Sequence, residues 1–129
     1  MIKVKKITMT PADIFACFAV PQEVLPAPAS GYVNNILAIS HDMVFVTLAY
    51  TGATRLSYQN YNGASVVFYD DTILASGASR NFPADKGNNQ NQLSFTTKNA
   101  LLLTTNGPAA TGDSNIDVYI VYEVVRITA

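Results

Sequence analysis

Residues 116–128, IDVYIVYEVVRIT, carry the clearest structural signal of the sequence, because large apolar residues alternate with others along most of this segment. A period of two is typical of a β-strand, because successive side chains point to opposite faces. One face holds an uninterrupted row of core-type residues: Ile116, Val118, Ile120, Tyr122 and Val124. We therefore expect this strand to cover a hydrophobic core.

The second face of the same strand is unusually apolar for a surface in contact with water. It carries Tyr119, Val121 and Val125, with acids between them. Either another segment of this chain covers that face or a neighbouring subunit does. The low charge of the chain favours the subunit, so these three residues are predicted interface residues.

Residues 2–9, IKVKKITM, also alternate, with Ile2 and Val4 on one face and Lys3 and Lys5 on the other. The alternation allows an irregularity at Lys6-Ile7. Lysines on a terminal strand discourage edge-to-edge pairing with other sheets. We assign Lys3 and Lys5 to the same predicted subunit interface as the closing strand.

A helix start follows the first strand. Thr10 can cap a helix, Pro11 suits its first position, and Asp13 stands where a capping box needs an acid. Pro21 then limits the length, because the residue before a proline avoids helical geometry. One short helix is predicted, over residues 11–17.

Most of the remaining chain reads as short strands between turns, over residues 20–25, 32–39, 56–60, 93–97 and 100–105. Residues 43–50, MVFVTLAY, form a nearly continuous apolar run that suggests a buried strand. Asn62-Gly63 is a strong hairpin signal, and residues 73–75 could extend or restart the strand after it. Residues 76–92 read as a long exposed loop. The pattern predicts one all-β domain, residues 1–129, a β-sandwich or jelly roll with one short helix near the N-terminus.

The composition limits what the chain can bind. Eight basic residues against nine acidic ones give a net charge of −1, which argues against nucleic acid. One cysteine allows no intrachain disulfide, and no apolar run is long enough to cross a membrane. Charged residues make up 13% of the chain, about half the usual share. Such a surface favours association with protein, because interface cores are depleted in charge.

Candidates for chemistry are few. His41 adjoins Asp42, but neighbours on a strand point to opposite faces and form no catalytic dyad. Asp70, Asp71 and Asp113 could bind a hard cation, although their spacing is that of turn residues rather than of a calcium loop. Cys17 reads as a buried thiol. The expectation is therefore no enzyme, no cofactor and no metal.

A recognition module is the alternative. Four tyrosines surround the predicted hairpin, and aromatic side chains in exposed loops can contact glycans. The candidate recognition residues are Tyr58, Tyr61, Arg80 and Asn88. Tyrosines are also common in strands.

Several segments together resemble small virion structural proteins of tailed bacteriophages, of the capsid decoration or head-fibre type. They are TMTPADIFAC, the corner VLPAPASG over residues 24–31, the turn YTG over residues 50–52, and GDSNIDVYIVYEVV over residues 112–125. The likeness extends over nearly the whole chain, while residues 59–91 match nothing in that family.

The resemblance implies a β-sandwich or jelly roll that forms symmetric homo-oligomers, with a trimer favoured. It implies a place on the outside of a capsid, bound to the major capsid protein or another virion protein, after synthesis in the host cytoplasm. The charge balance and the lack of a long apolar run separately predict no nucleic-acid and no membrane partner. A decoration protein would act by burying surface across the seams of the shell, repeated many times.

Overall fold

The structure is a computed structural model that describes residues 1–59, 69–71, 73–83, 95–97 and 100–127. Its described residues form two antiparallel β-sheets and one short α-helix, so the predicted all-β class is confirmed. No helix among these residues is long and apolar enough to cross a membrane.

The first sheet has five strands, in which the predicted first and last strands lie side by side. Strand β9 pairs with β1 on one side and β3 on the other, while β6 and β7 both pair with the far side of β3. The bounds are β1 Ile2–Met9, β3 Tyr32–Met43, β6 Arg80–Pro83, β7 Phe95–Thr97 and β9 Ile116–Arg126. The β1–β9 register is continuous, so the irregularity that the alternation allowed at Lys6-Ile7 does not occur.

The second sheet has four shorter strands in the order β2-β8-β4-β5. Their bounds are β2 Gln22–Leu25, β4 Leu56–Gln59, β5 Tyr69–Asp71 and β8 Leu101–Thr105. Strands β4 and β5 pair antiparallel with Tyr58 opposite Tyr69, as a hairpin between them requires. The predicted turn Asn62-Gly63 itself lies outside the described residues.

The helix α1, Pro11–Ala16, begins as predicted. The Thr10 hydroxyl accepts from the Asp13 backbone N–H at 3.4 Å, and the Asp13 carboxylate accepts from the Thr10 N–H at 3.0 Å. This reciprocal pair satisfies two backbone donors that a helix start would otherwise leave free. Ile14 turns inward and is fully buried, which fixes the helix against the core.

The core lies between the two sheets, which pack as a β-sandwich. Alternate residues of β3 and β9 meet alternate residues of β4 and β8 in one buried cluster. Fully buried members from the two sheets include Ile36, Ile116, Val118, Ile120, Leu56, Leu101 and Leu103. The predicted core row of the closing strand is therefore confirmed for its first three residues, while Tyr122 is half-buried and Val124 is exposed.

Three assignments from the sequence are wrong. Residues 44–50 form no strand, and the side chains of Val44, Val46 and Leu48 are exposed. Ile73–Ala75 is a 3₁₀ turn. Residues 76–92 are not one loop, because Arg80–Pro83 is strand β6. The common reason is that strands are defined by their partners, which a local pattern does not show.

A close backbone contact joins the turn that follows residues 44–50 to the turn that precedes β9. Thr51 and Ala110 exchange backbone hydrogen bonds of 2.9 and 2.8 Å. Gly52 has a φ of +78°, and a Cβ there would stand 2.2 Å from the carbonyl oxygen of Pro108. Only glycine fits both that backbone conformation and that approach.

Candidate interaction surface

The outer face of the five-stranded sheet, on the side away from the core, carries an exposed apolar patch. Val4 lies directly opposite Val121, and Ile2 opposite Glu123. Ile2 and Val4 are 61% and 64% exposed, and Val125 is exposed farther along β9. The structure therefore brings together the apolar residues predicted for an interface and adds two from β1.

The other predicted interface residues divide between the two faces. Tyr119 is half-buried on the outer face, opposite Lys6, whose ammonium lies 5.8 Å from its ring centre. Lys3 and Lys5 belong to the core-facing side, opposite Tyr122 and Ile120. Because β1 is an edge strand, lysine stems at this margin can lie along the sheet while their charges reach water. Lys3 is exposed and Lys5 half-buried.

An acidic groove of about 320 Å³ opens at the far end of the same outer face. Asp42 of β3 stands directly opposite Asp117 of β9 in the strand register. Like charges in directly opposed positions repel each other. The groove is completed by Thr8, Val44, Val46, Asp113 and Asn115.

Only one of the two opposed carboxylates has partners within the described residues. Asp117 accepts a 2.6 Å hydrogen bond from the Thr8 hydroxyl and lies 3.7 Å from the Lys6 ammonium. The Asp42 side chain makes no hydrogen bond or ion pair with any residue described. No three acidic, histidine or cysteine side chains in the described ranges are placed to share a metal ion.

Asp113 holds the neighbouring segment, residues 44–48, in place. Its Oδ1 accepts from the backbone N–H groups of Thr47 and Leu48 at 3.1 and 2.9 Å, and its Oδ2 accepts from the Thr47 hydroxyl. The Thr47 hydroxyl and then the backbone donors stabilise the anion and lower its pKa from 3.8. The carboxylate that sequence offered as a cation ligand is therefore already engaged by the chain itself.

The same segment is anchored from beneath by Tyr50. Its hydroxyl donates to the carbonyl oxygen of Ser114 at 2.5 Å, and its ring lies directly above Gly112. Burial, followed by the nearby charge of Asp113, raises the pKa of Tyr50 to about 12. The phenol therefore stays protonated and can donate at physiological pH.

His41 and Tyr58 form a buried polar contact between the two sheets. Both are fully buried, their rings stack with centroids 5.6 Å apart, and His41 Nε2 lies 2.5 Å from the Tyr58 hydroxyl. Tyr58 was predicted to line an exposed recognition loop, and that prediction is wrong because its side chain faces the core from β4.

The other recognition and metal candidates are only partly described. Arg80 begins the edge strand β6 rather than standing in a loop, while Tyr61 and Asn88 lie outside the described residues. Asp70 and Asp71 belong to β5 rather than to a turn. Their side chains are not among those described, so the expectation that they bind no cation stays a prediction.

Cys17 is buried beside the helix end, as its sequence context indicates. Its thiol lies 3.4 Å from the carbonyl oxygen of Ile14. Loss of hydration on burial raises the pKa of the thiol to about 11. It is therefore protonated at neutral pH and a poor nucleophile.

The same architecture occurs in a solved capsid structure. The chain matches one chain of the cyanophage Pam1 capsid asymmetric unit with a TM-score of 0.57 and 19% sequence identity. The match covers 95% of this chain and 82% of that one, so most of both molecules share the fold. No protein-family model and no curated protein matches the sequence.

Proposed function

We propose that this chain is a bacteriophage virion structural protein, a capsid decoration or head-fibre protein that binds itself and the shell. The observation that carries the proposal is the fold shared with a capsid chain over nearly its full length. Because the match takes in most of that capsid chain, the likeness is to a whole component rather than to one domain of a larger protein.

The outer sheet face supplies the physical basis for association. Exposed valines and isoleucine on β1 and β9 present apolar surface that burial against protein would stabilise by roughly 25 cal/mol per Å². A shell presents the same contact many times, so a modest affinity per site suffices. We place the subunit and shell contacts on this face, on the exterior of the virion.

The proposal includes no catalytic step, cofactor or metal. His41, the sole histidine of the chain, is fully buried and occupied by Tyr58. A general base must reach a substrate proton, and this imidazole has no path to one. Structural association is the role that the described surface supports.

Mass spectrometry of particles purified by density gradient from cells that carry the gene tests the assignment. We expect the chain in the particles at a constant ratio to the major capsid protein. Particles that lack the chain, although the cells express it, would overturn the proposed function.

Self-association is tested separately, by light scattering coupled to size-exclusion chromatography. Val4→Asp places a charge in the exposed apolar patch, and we expect it to shift the oligomer toward monomer. Val20→Asp is the matched control, because Val20 is 73% exposed but lies between α1 and β2 rather than in the five-stranded sheet. Equal oligomer sizes for wild type and Val4→Asp would exclude the patch as an interface.

A further inference from the structure

We propose that the N-terminal half of β1 in one copy docks on the acidic groove of a second copy, in a head-to-tail contact. This inference rests on the self-association included in the proposed function and names the surface that receives β1. Within the described residues the groove carries excess negative charge and the β1 lysines have no acidic partner, and one copy cannot bring the two together.

The groove carries uncompensated negative charge. Asp42, Asp113 and Asp117 contribute three carboxylates, and among the side chains that the structure describes Lys6 is the one cation in contact, which leaves these groups a net charge of −2. Asp42 has no described side-chain partner and faces Asp117 directly. Because the carboxylates do not converge on a single ion position, an extended cationic surface fits the groove better than a metal does.

An apolar row borders the groove. Val44, Val46 and Leu48 point to solvent from alternate positions and are 71%, 58% and 53% exposed. Their backbone is fixed by the contacts to Asp113 and Ser114. A partner that carries both positive charge and apolar side chains at strand spacing would satisfy the whole surface.

The N-terminal half of β1 has that chemistry. Lys3 and Lys5 alternate with Ile2 and Val4, which gives positive charge on one side of an edge strand and exposed apolar residues on the other. Neither lysine forms an ion pair with an acid among the described residues. The two surfaces are therefore complementary in charge and in apolar content.

One copy cannot join these surfaces to each other. Lys3 and Lys5 stand about 17 and 10 Å along β1 from Thr8, where the groove begins, at strand spacing, and they lie on the core-facing side while the groove opens on the outer face. Both separations exceed the screening length of about 8 Å at physiological salt. A contact between two different surfaces of identical copies is heterologous, and such contacts close into rings when the rotation allows.

Charge reversal tests the contact. Asp42→Lys alone, and Lys3→Glu with Lys5→Glu, should each weaken self-association about five- to tenfold, because the first removes the net negative charge of the groove and the second puts negative charge at both surfaces. An equimolar mixture should recover the affinity, since each variant then offers the surface that the other needs. Glu23→Lys reverses an exposed acid on the other sheet and serves as control. Sedimentation velocity over a concentration series measures all four, and circular dichroism checks their folding.

The outcomes separate this inference from the proposed function. Unchanged association in both charge variants, together with dissociation by Val4→Asp, would overturn the groove contact and leave self-association standing. Weakened variants that do not recover on mixing would show that the two surfaces do not meet, and would also overturn it. A monomeric wild type at every concentration would overturn both, while the presence of the chain in particles would still decide the virion assignment.

Discussion

Strand β9 and residues 44–50 look alike in sequence, since both are apolar runs with tyrosine, and the fold treats them in opposite ways. In β9 the backbone is bonded to strands on both sides, and alternate side chains enter the core. In residues 44–50 four successive backbone N–H groups, from Phe45 to Leu48, are taken by side-chain oxygens of Ser79, Ser114 and Asp113.

The difference shows what determines whether an apolar segment becomes a buried strand or stays at the surface. A buried strand needs partner strands for its backbone donors and acceptors. A segment whose donors are satisfied by side chains can stay at the surface with its apolar residues exposed. In residues 44–50 side chains satisfy the backbone donors, so the segment stays at the surface and its apolar residues border the acidic groove.

The largest effect is expected where the surface segment rests on the core. Gly112→Ala would place a Cβ 2.2 Å from the ring of Tyr50. Because that ring is buried and anchored to Ser114, we expect a loss of about 3 kcal/mol or more in the free energy of unfolding. Chemical denaturation measures the loss.

Gly77→Ala provides the control for that change, since nothing lies within 4 Å of a Cβ at Gly77. We expect this variant to unfold within about 0.5 kcal/mol of wild type. Similar losses at Gly77 and Gly112 would mean that the ring contact does not support the segment.

The same substitution in the two regions should give unequal results. Val118→Ala empties space in the core beneath β9 and should cost about 2 kcal/mol. Val46→Ala shortens a side chain that is 58% exposed and should change stability by less than about 0.5 kcal/mol. Urea denaturation of both variants measures the contrast. Equal losses would show that residues 44–50 are packed as tightly as the closing strand.

The sequence predicts the elements whose signal is local. Alternation places β1 and β9, and the Thr10–Asp13 capping box places the helix start, because each feature depends on residues close together in the chain. Strand β6 was missed because Arg80–Pro83 has little apolar content and is a strand through its pairing with β3. Tyr58 was misplaced because the inward face of a four-residue strand is set by the opposite sheet.

The acidic groove could not be read from the sequence for a related reason. Asp42 is the last but one residue of β3, Asp117 is the second residue of β9, and Asp113 precedes β9, so the site exists only once those two strands are aligned. In the sequence, Asp113 stands out only as a possible cation ligand and Asp42 only as the neighbour of His41. The antiparallel register that opposes Asp42 to Asp117 is tertiary information.

The smallest effect is expected for Asp113→Asn, which keeps the shape of the side chain and removes its charge. The variant should have a lower urea midpoint than wild type at pH 7, because the amide accepts less strongly from Thr47 and Leu48. A folded-state pKa below 3.8 means that the carboxylate stabilises the fold above that pH. The contribution is lost as the pH falls from 3.8 through the lower folded-state pKa, so the gap between variant and wild type should narrow there.

Glu23→Gln is the matched control, since it makes the same acid-to-amide change on the exposed surface of the other sheet. Its urea midpoint at pH 7 should equal that of wild type. A gap for Asp113→Asn that stays constant from pH 7 to pH 2 would mean that the charge of Asp113 does not hold residues 44–48. The surface segment would then be held by the Tyr50 contact and by the hydroxyls of Ser114 and Ser79, whose hydrogen bonds do not change with pH. Neutral hydrogen bonds alone would then distinguish residues 44–50 from the strand pairing of β9.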